Sequence, residues 1–319
     1  MKSIALALSV FVFSSVGQAR EIGVLGDVEG QWARWEQFAK TSPVFTSTAK
    51  GFELNPGSGF VFQGDAIDRG DHGRAILQTF LDLKTKHPAD VALILGNRDI
   101  NKLRLLVELE PTSLAAADPS YEKWLSENSL PSSLRTDAIT KLKFILAKRM
   151  GAGQAFEFRR TELQRSGHAS SDQAVLDSML NDLKFDGLQG RYLRSAQIAH
   201  IDEKTGTLFV HGAITETNFG LVPGRAGRIT DVRKWVEALN SWARAEIEAA
   251  TREGLVPRSR ASELINFQRP AANSDQNPLS VVSARYTDEM GLPKVPSEKF
   301  LTSLEKQGIR RVSVGHSPY

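Results

Sequence analysis

The chain has 319 residues, 41% hydrophobic and 24% charged, with a formal net charge of +3. This is ordinary globular composition, enough for one large α/β domain with an insertion, and the charge is too mild to argue for a nucleic-acid partner. There is no cysteine, which excludes disulfides, zinc–thiolate sites and a cysteine nucleophile.

At the amino terminus Lys2 precedes an apolar run over residues 4–16, followed by Gly17, Gln18 and Ala19. A positive residue, a short apolar core and small residues at a cleavage point read as a secretory signal over 1–19. The run is short of the ~20 residues that span a bilayer. The expectation is cleavage near Arg20 and export to the periplasm or outside, with no membrane contact afterwards. A first buried strand or an uncleaved anchor is the alternative.

Residues 22–25, 60–62 and 91–95 are apolar runs that read as buried strands. Helices are predicted over 31–40, where Trp32, Trp35 and Phe38 fall at helical spacing, and over 74–86, ahead of Pro88. The tryptophans are expected in the core. Residues 41–59, rich in Ser, Thr, Gly and Pro, read as a loop. The alternation predicts β-α-β units and a largely parallel sheet. From 100 to 189 the periodicity turns helical, with amphipathic runs at 134–150 and 174–183. This predicts a helical insertion, about 103–190, that overhangs the strand ends. Arg159 and Arg160 within it are expected on a solvated face. Strands are predicted again at 196–201, 207–210 and 311–314, and helices at 228–253 and 298–307, with 279–291 irregular.

Each early strand ends in a polar block: Gly26-Asp27-Val28-Glu29-Gly30, Gly64-Asp65-Ala66-Ile67-Asp68-Arg69-Gly70, and Gly96-Asn97-Arg98-Asp99. Turns at the carboxyl edge of an α/β sheet gather where ligands bind. Several carboxylates in one crevice repel unless a cation sits among them. Two later strands end in His211-Gly212 and Gly315-His316. A helix N-cap explains Asp27 or Asp65 singly, but it does not explain two histidines arriving at later strand ends.

In order and spacing the blocks resemble GDxHG, GDxxDRG and GNH[DE] of the calcineurin-like metallophosphoesterases, in particular the phosphoprotein phosphatase branch. The second block matches fully. Glu29 stands where that family has histidine, and Arg98 where it has its catalytic histidine. The resemblance implies a four-layer α/β/β/α sandwich over 20–319. The chain stops at Tyr319, where relatives continue, so a carboxyl-terminal truncation is an expectation too.

The resemblance also implies a hydrolase of phosphate monoesters, protein or small-molecule, using metal-activated water. The alternatives are a nucleotide or dinucleotide polyphosphate hydrolase, and a non-catalytic metal- or phosphate-binding pseudophosphatase. It implies two divalent ions, manganese favoured over iron, zinc or magnesium, with Asp27, Asp65, Asn97, His211 and His316 as ligands. Glu29 is either a further ligand or a surface glutamate. Arg69 is a phosphate binder or a structural ion pair. Arg98 stabilises charge on the phosphoryl group, and Asp68 is expected to hold Arg98 by an ion pair.

Overall fold

The computed structural model describes residues 20–49, 51–252, 258–270, 277–288 and 290–316. The predicted signal segment, 1–19, lies outside the described residues, as do 317–319.

Strand β1 (Ile22–Leu25) leads into helix α1 (Trp32–Thr41). A hairpin follows, β2 (Phe45–Thr48) and β3 (Gly51–Leu54), before β4 (Gly59–Phe62), α2 (Gly73–Lys86) and β5 (Val91–Leu93). β1, β4 and β5 form a parallel sheet in the order β1-β4-β5. Its register aligns Ile22 with Gly59 and Phe60 with Val91.

The hairpin corrects the loop expected at 41–59. Its strands carry few apolar residues, but Phe45, Phe52 and Leu54 suffice to cover Trp35. Trp35 is 1% exposed and packs edge-on at 5.4 Å from Phe45 and 5.3 Å from Phe80. Burying such rings supplies ~1.5–3 kcal/mol each, so three apolar positions outweigh a Ser/Thr-rich composition.

Between β5 and the next strand the chain is almost wholly helical: α3 (Asn97–Asn101), α4 (Arg104–Glu108), α5 (Pro111–Ala115), α6 (Pro119–Glu127), α7 (Ala138–Phe144), α8 (Ala155–Arg165), α9 (Asp172–Leu183) and α10 (Leu188–Ser195). A π-helical turn, Ile145–Arg149, continues α7. Arg159 does not sit on a solvated face, as expected from its charge. It is 6% exposed and pairs with Glu162 of α8 and Asp182 of α9. Arg74 of α2 pairs with the same Asp182. Arg160 is half-buried and pairs with Glu157 and Asp172. A cation enters the interior here because its carboxylate partners enter with it.

The second sheet is β6 (Ala199–Asp202), β7 (Thr207–Val210) and β8 (Arg311–Ser313), with β7 antiparallel to β6 and parallel to β8. The long α11 (Val232–Thr251), α12 (Arg258–Gln268) and α13 (Glu298–Glu305) complete the described elements. Val61, Ala92, Ile94 and Phe209 form a small core of their own, with Ile22 against it. These are the facing surfaces of the two sheets. Alternate residues Phe60, Phe62 and Leu93 turn the other way, to Trp35 and Phe80, and Leu208 and Val210 join Trp235 and Leu239 of α11. The order is therefore helix, sheet, sheet, helix. It explains why the strands read as unbroken apolar runs, since both faces are covered.

Candidate metal centre and its arginine rim

The polar blocks meet at the carboxyl ends of β1, β4 and β5, and the two histidines follow β7 and β8. The first two loops are zipped together. Asp27 N–H donates to Gly64 O at 2.9 Å, Glu29 N–H to Asp65 O at 2.9 Å, and Arg69 N–H to Glu29 O at 2.7 Å. Gly30 and Gly70 touch so closely that a Cβ on Gly70 would lie 2.3 Å from Gly30 O. The third block is fastened by Asp99, which is 1% exposed. Its carboxylate accepts from Asp65 N at 2.9 Å, Ala66 N at 3.0 Å and Gly96 N at 2.8 Å.

Asp27, Glu29, Asp65, Asp68 and His316 all have positive φ, between 50° and 114°. Among the described non-glycine residues only Ser129 shares this. Each such residue costs of order 1–3 kcal/mol and persists where its surroundings over-determine it, typically at ligand sites.

His211 is fully buried. Its Nδ1 lies 2.6 Å from Gln63 O, an acceptor only, so Nδ1 carries a proton, and in the neutral ring Nε2 presents a lone pair. That lone pair faces Asn97 Oδ1 at 3.0 Å and Asp65 Oδ1 at 3.5 Å. Three acceptors thus converge with no donor among them. His316 lies 5.0 Å from His211, ring to ring, and among the described residues its buried Nε2 has no hydrogen-bond partner. Donor atoms of Asp65, His211 and His316 all lie within 4.8 Å of one another. Burial, and then the charge of Asp27, push the Asp65 carboxyl well above its usual range. Burial, then His211, Arg285 and Arg98, push His316 down to about 2. A buried carboxyl that resists ionisation, an imidazole held neutral and acceptor atoms facing one another suit a divalent cation bound by oxygen and nitrogen. Asp27 sits beside this group, its Oδ2 accepting from His316 N–H at 3.3 Å.

Glu29 and Arg98 are placed differently. Glu29, 5% exposed, is not among the converging donors. It pairs with Arg98 Nε at 3.0 Å and Arg69 Nη1 at 3.0 Å. The expected Asp68–Arg98 pair is not formed. Asp68, whose backbone sits at φ 114°, pairs with the buried Lys102. Arg98 spans Glu29 and Asp65, 3.5 Å from Asp65 Oδ2, and donates from Nη1 to Met150 O at 3.1 Å. The helical segment therefore reaches the crevice at Met150. His72 stays at the surface beside Asp71, 2.8 Å away.

Over the metal group opens a cavity of about 440 Å³ lined on its rim by Arg34, Arg69, Arg98 and Arg285. Arg34 was not among the residues singled out from the sequence, and Arg285, noted there within the irregular stretch 279–291, was given no role. Arg34 lies on α1 and is anchored by donating to Asp27 O at 2.8 Å, and Arg285 comes from the irregular stretch before α13. Gln63, which bonds Val210 O and Ser313 Oγ and so ties the sheets together, was also missed, since a lone glutamine after a strand carries no pattern.

No family model matches the chain. It is 30% identical over 109 residues to serine/threonine-protein phosphatase 5 of Arabidopsis thaliana, a stretch that is 34% of this chain and 19% of that protein. It is similar to the solved structure of a cold-active protein-tyrosine phosphatase of a psychrophilic Shewanella, 17% identical, covering 94% of this chain and 68% of that one, TM-score 0.45. It is also similar to the phosphatase domain of the Legionella effector WipB, 16% identical, covering 90% and 79%, TM-score 0.39. Three ordered loops on one sheet, a second sheet facing it and the local similarity to a serine/threonine phosphatase make the chain similar in fold to the calcineurin-like phosphoprotein phosphatases.

Proposed function

We infer that the chain hydrolyses phosphate monoesters with the help of a divalent metal held by Asp65, Asn97, His211 and His316, with Asp27 beside them. The observation that carries this is the convergence of acceptor atoms from both sheets, with Asp65 Oδ1 and His211 Nε2 3.5 Å apart, directly under an arginine-lined cavity. When bound, such an ion lowers the pKa of its water and polarises a phosphoryl oxygen. The protein's own side chains supply the rest. Arg69, its side chain 53% exposed, and Arg34 offer planar forks that match phosphoryl oxygens. Arg98 adds a permanent charge. The name of the curated relative supports a phosphorylated substrate, protein-borne or small.

Asp65→Asn is the direct test, with an aryl phosphate as substrate. The variant is expected to lose most activity and most bound metal together, and a chelator should silence the parent. Full metal content with unchanged turnover in the variant would refute the assignment. The amino-terminal pattern supports export to the periplasm or medium. Amino-terminal sequencing of protein recovered outside the cytoplasm checks it, with a start near Arg20 expected and an intact Met1 contradicting it.

A further inference from the structure

The two positions at which the loops depart from the resembled signature, Glu29 and Arg98, are in contact. Arg98 Nε lies 3.0 Å from Glu29 Oε1. A neutral imidazole at position 29 would leave a lone pair for a metal. A carboxylate there brings a negative charge, and the charge is met internally. Oε1 faces Arg69 Nη1 at 3.0 Å as well as Arg98, while Oε2 faces Arg69 Nη1 at 3.3 Å and Arg34 Nη1 at 3.9 Å. Both oxygens of Glu29 are thus turned to guanidinium groups. The two oxygens of Asp65 are divided in the same way: Oδ1 faces His211 and accepts from Arg98 N–H at 2.9 Å, and Oδ2 faces Arg98 Nε.

On the reading that this crevice binds a divalent metal, we propose that the Arg98 guanidinium takes the place of the second cation, so that the protein holds one ion per chain. The ion belongs on the His211 side of Asp65. The guanidinium occupies the Glu29 side. Arg98 cannot shed its charge near neutral pH, and its side chain is held on three sides, by Glu29, Asp65 and Met150 O. A dication entering between Glu29 and Asp65 would face that fixed positive charge at short range with little water to screen it. Asp27 Oδ2 accepts from the His316 backbone N–H at 3.3 Å, which sets that oxygen on the same side as the first ion. The two departures are then one compensated exchange: an acid and a base arriving together to replace a metal by an ion pair. Metal choice also changes hands. It follows the two imidazoles rather than Glu29, which favours borderline ions over magnesium.

The test is stoichiometry, read without turnover. The full chain is stripped with chelator and titrated with Mn²⁺, and bound metal is counted by elemental analysis after desalting. Electron paramagnetic resonance then reports whether bound Mn²⁺ ions are exchange-coupled. One equivalent per chain with an uncoupled spectrum is expected. The double variant Glu29→His/Arg98→His is expected to gain a second equivalent and a coupled spectrum. Two equivalents in the parent would overturn this inference and leave the metallophosphoesterase reading standing. No bound metal in the parent would overturn both. A folded double variant that still binds one equivalent would show that the ion pair is not what excludes the second. If that variant fails to fold, the parent's stoichiometry and spectrum decide alone.

Discussion

On the proposed reading, Arg98 fixes what the chemistry lacks. The resembled histidine gives a proton to the leaving oxygen, and arginine has none to give near neutral pH. Asp68, the residue expected to orient that position, is turned to Lys102. General acid catalysis contributes ~10²–10⁴-fold, so alkyl phosphates should turn over slower than aryl phosphates with acidic phenols by about that factor. Arg98→His should narrow the gap and Arg98→Ala should weaken both classes, as kcat/KM on matched esters reports. Equal rates on both classes in the parent, with chemistry limiting, would mean another group protonates the leaving oxygen. The convergence of Asp65, Asn97, His211 and His316 was legible because each follows a strand, and strand ends are visible as apolar runs. The pairing was not. Whether Asp68 reaches Arg98 or Lys102 depends on a left-handed backbone angle that no spacing encodes, and Arg34 and Arg285 reach the rim from a helix and an irregular stretch with no motif of their own.

Asp99 holds three backbone donors from two loops on one carboxylate. Asp99→Ala strips all three of their acceptor in a buried place, at ~1–3 kcal/mol for each group left unsatisfied. Thermal unfolding is expected to show several degrees lost, and metal titration a weaker affinity, since Asp65 N–H is one of the three. The variant retaining the parent's melting temperature would mean the loops are held by other contacts. A second element-scale prediction concerns the ion pairs joining α2, α8 and α9. Asp182→Ala leaves Arg159 buried with Glu162 as its remaining carboxylate partner. Removing one partner of such a pair costs ~3–5 kcal/mol, to be read from denaturant unfolding. A change within error would place Arg159 in water after all. Sequence periodicity found α1, α2, α9, α11 and α13 to within a few residues because each has one wide apolar stripe. It missed the hairpin, where three apolar side chains suffice, and the short helices α5 and α6, whose Pro111 and Pro119 sit at first-turn positions where proline starts a helix rather than breaking one.

The metal group draws on both sheets, Asp65 after β4 and Asn97 after β5 from one, His211 after β7 and His316 after β8 from the other, so a bound ion would tie the two halves of the sandwich together. Stabilisation by a ligand grows as RT ln(1 + [L]/Kd), about 2.7 kcal/mol at a hundredfold excess over Kd. Its pH dependence has a definite sign. Burial, with Asp27 next, raises the Asp65 carboxyl above its unfolded value of 3.8. In metal-free protein the native state therefore keeps a proton that the unfolded chain has lost. Its contribution is fully present below 3.8 and declines as pH rises through the raised native value. Metal needs the ionised carboxylate, so binding releases that proton and tightens with pH across the same window. His316, held down to about 2, is already neutral and releases none. Groups remote from the site titrate alike with and without metal and cancel in the difference. The gain in melting temperature on adding Mn²⁺ is thus expected to increase as pH rises through the raised Asp65 value and to level off above it. Proton release, measured by calorimetry in buffers of different ionisation enthalpy, should fall toward zero above that value. Asp65→Asn should weaken both trends, with a remainder from Asp99, which burial and then the Asp65 charge raise to about 7. A metal-induced shift that is flat with pH, with no proton released at any pH measured, would show that Asp65 is ionised without metal and that the crevice tolerates its carboxylates by some other means.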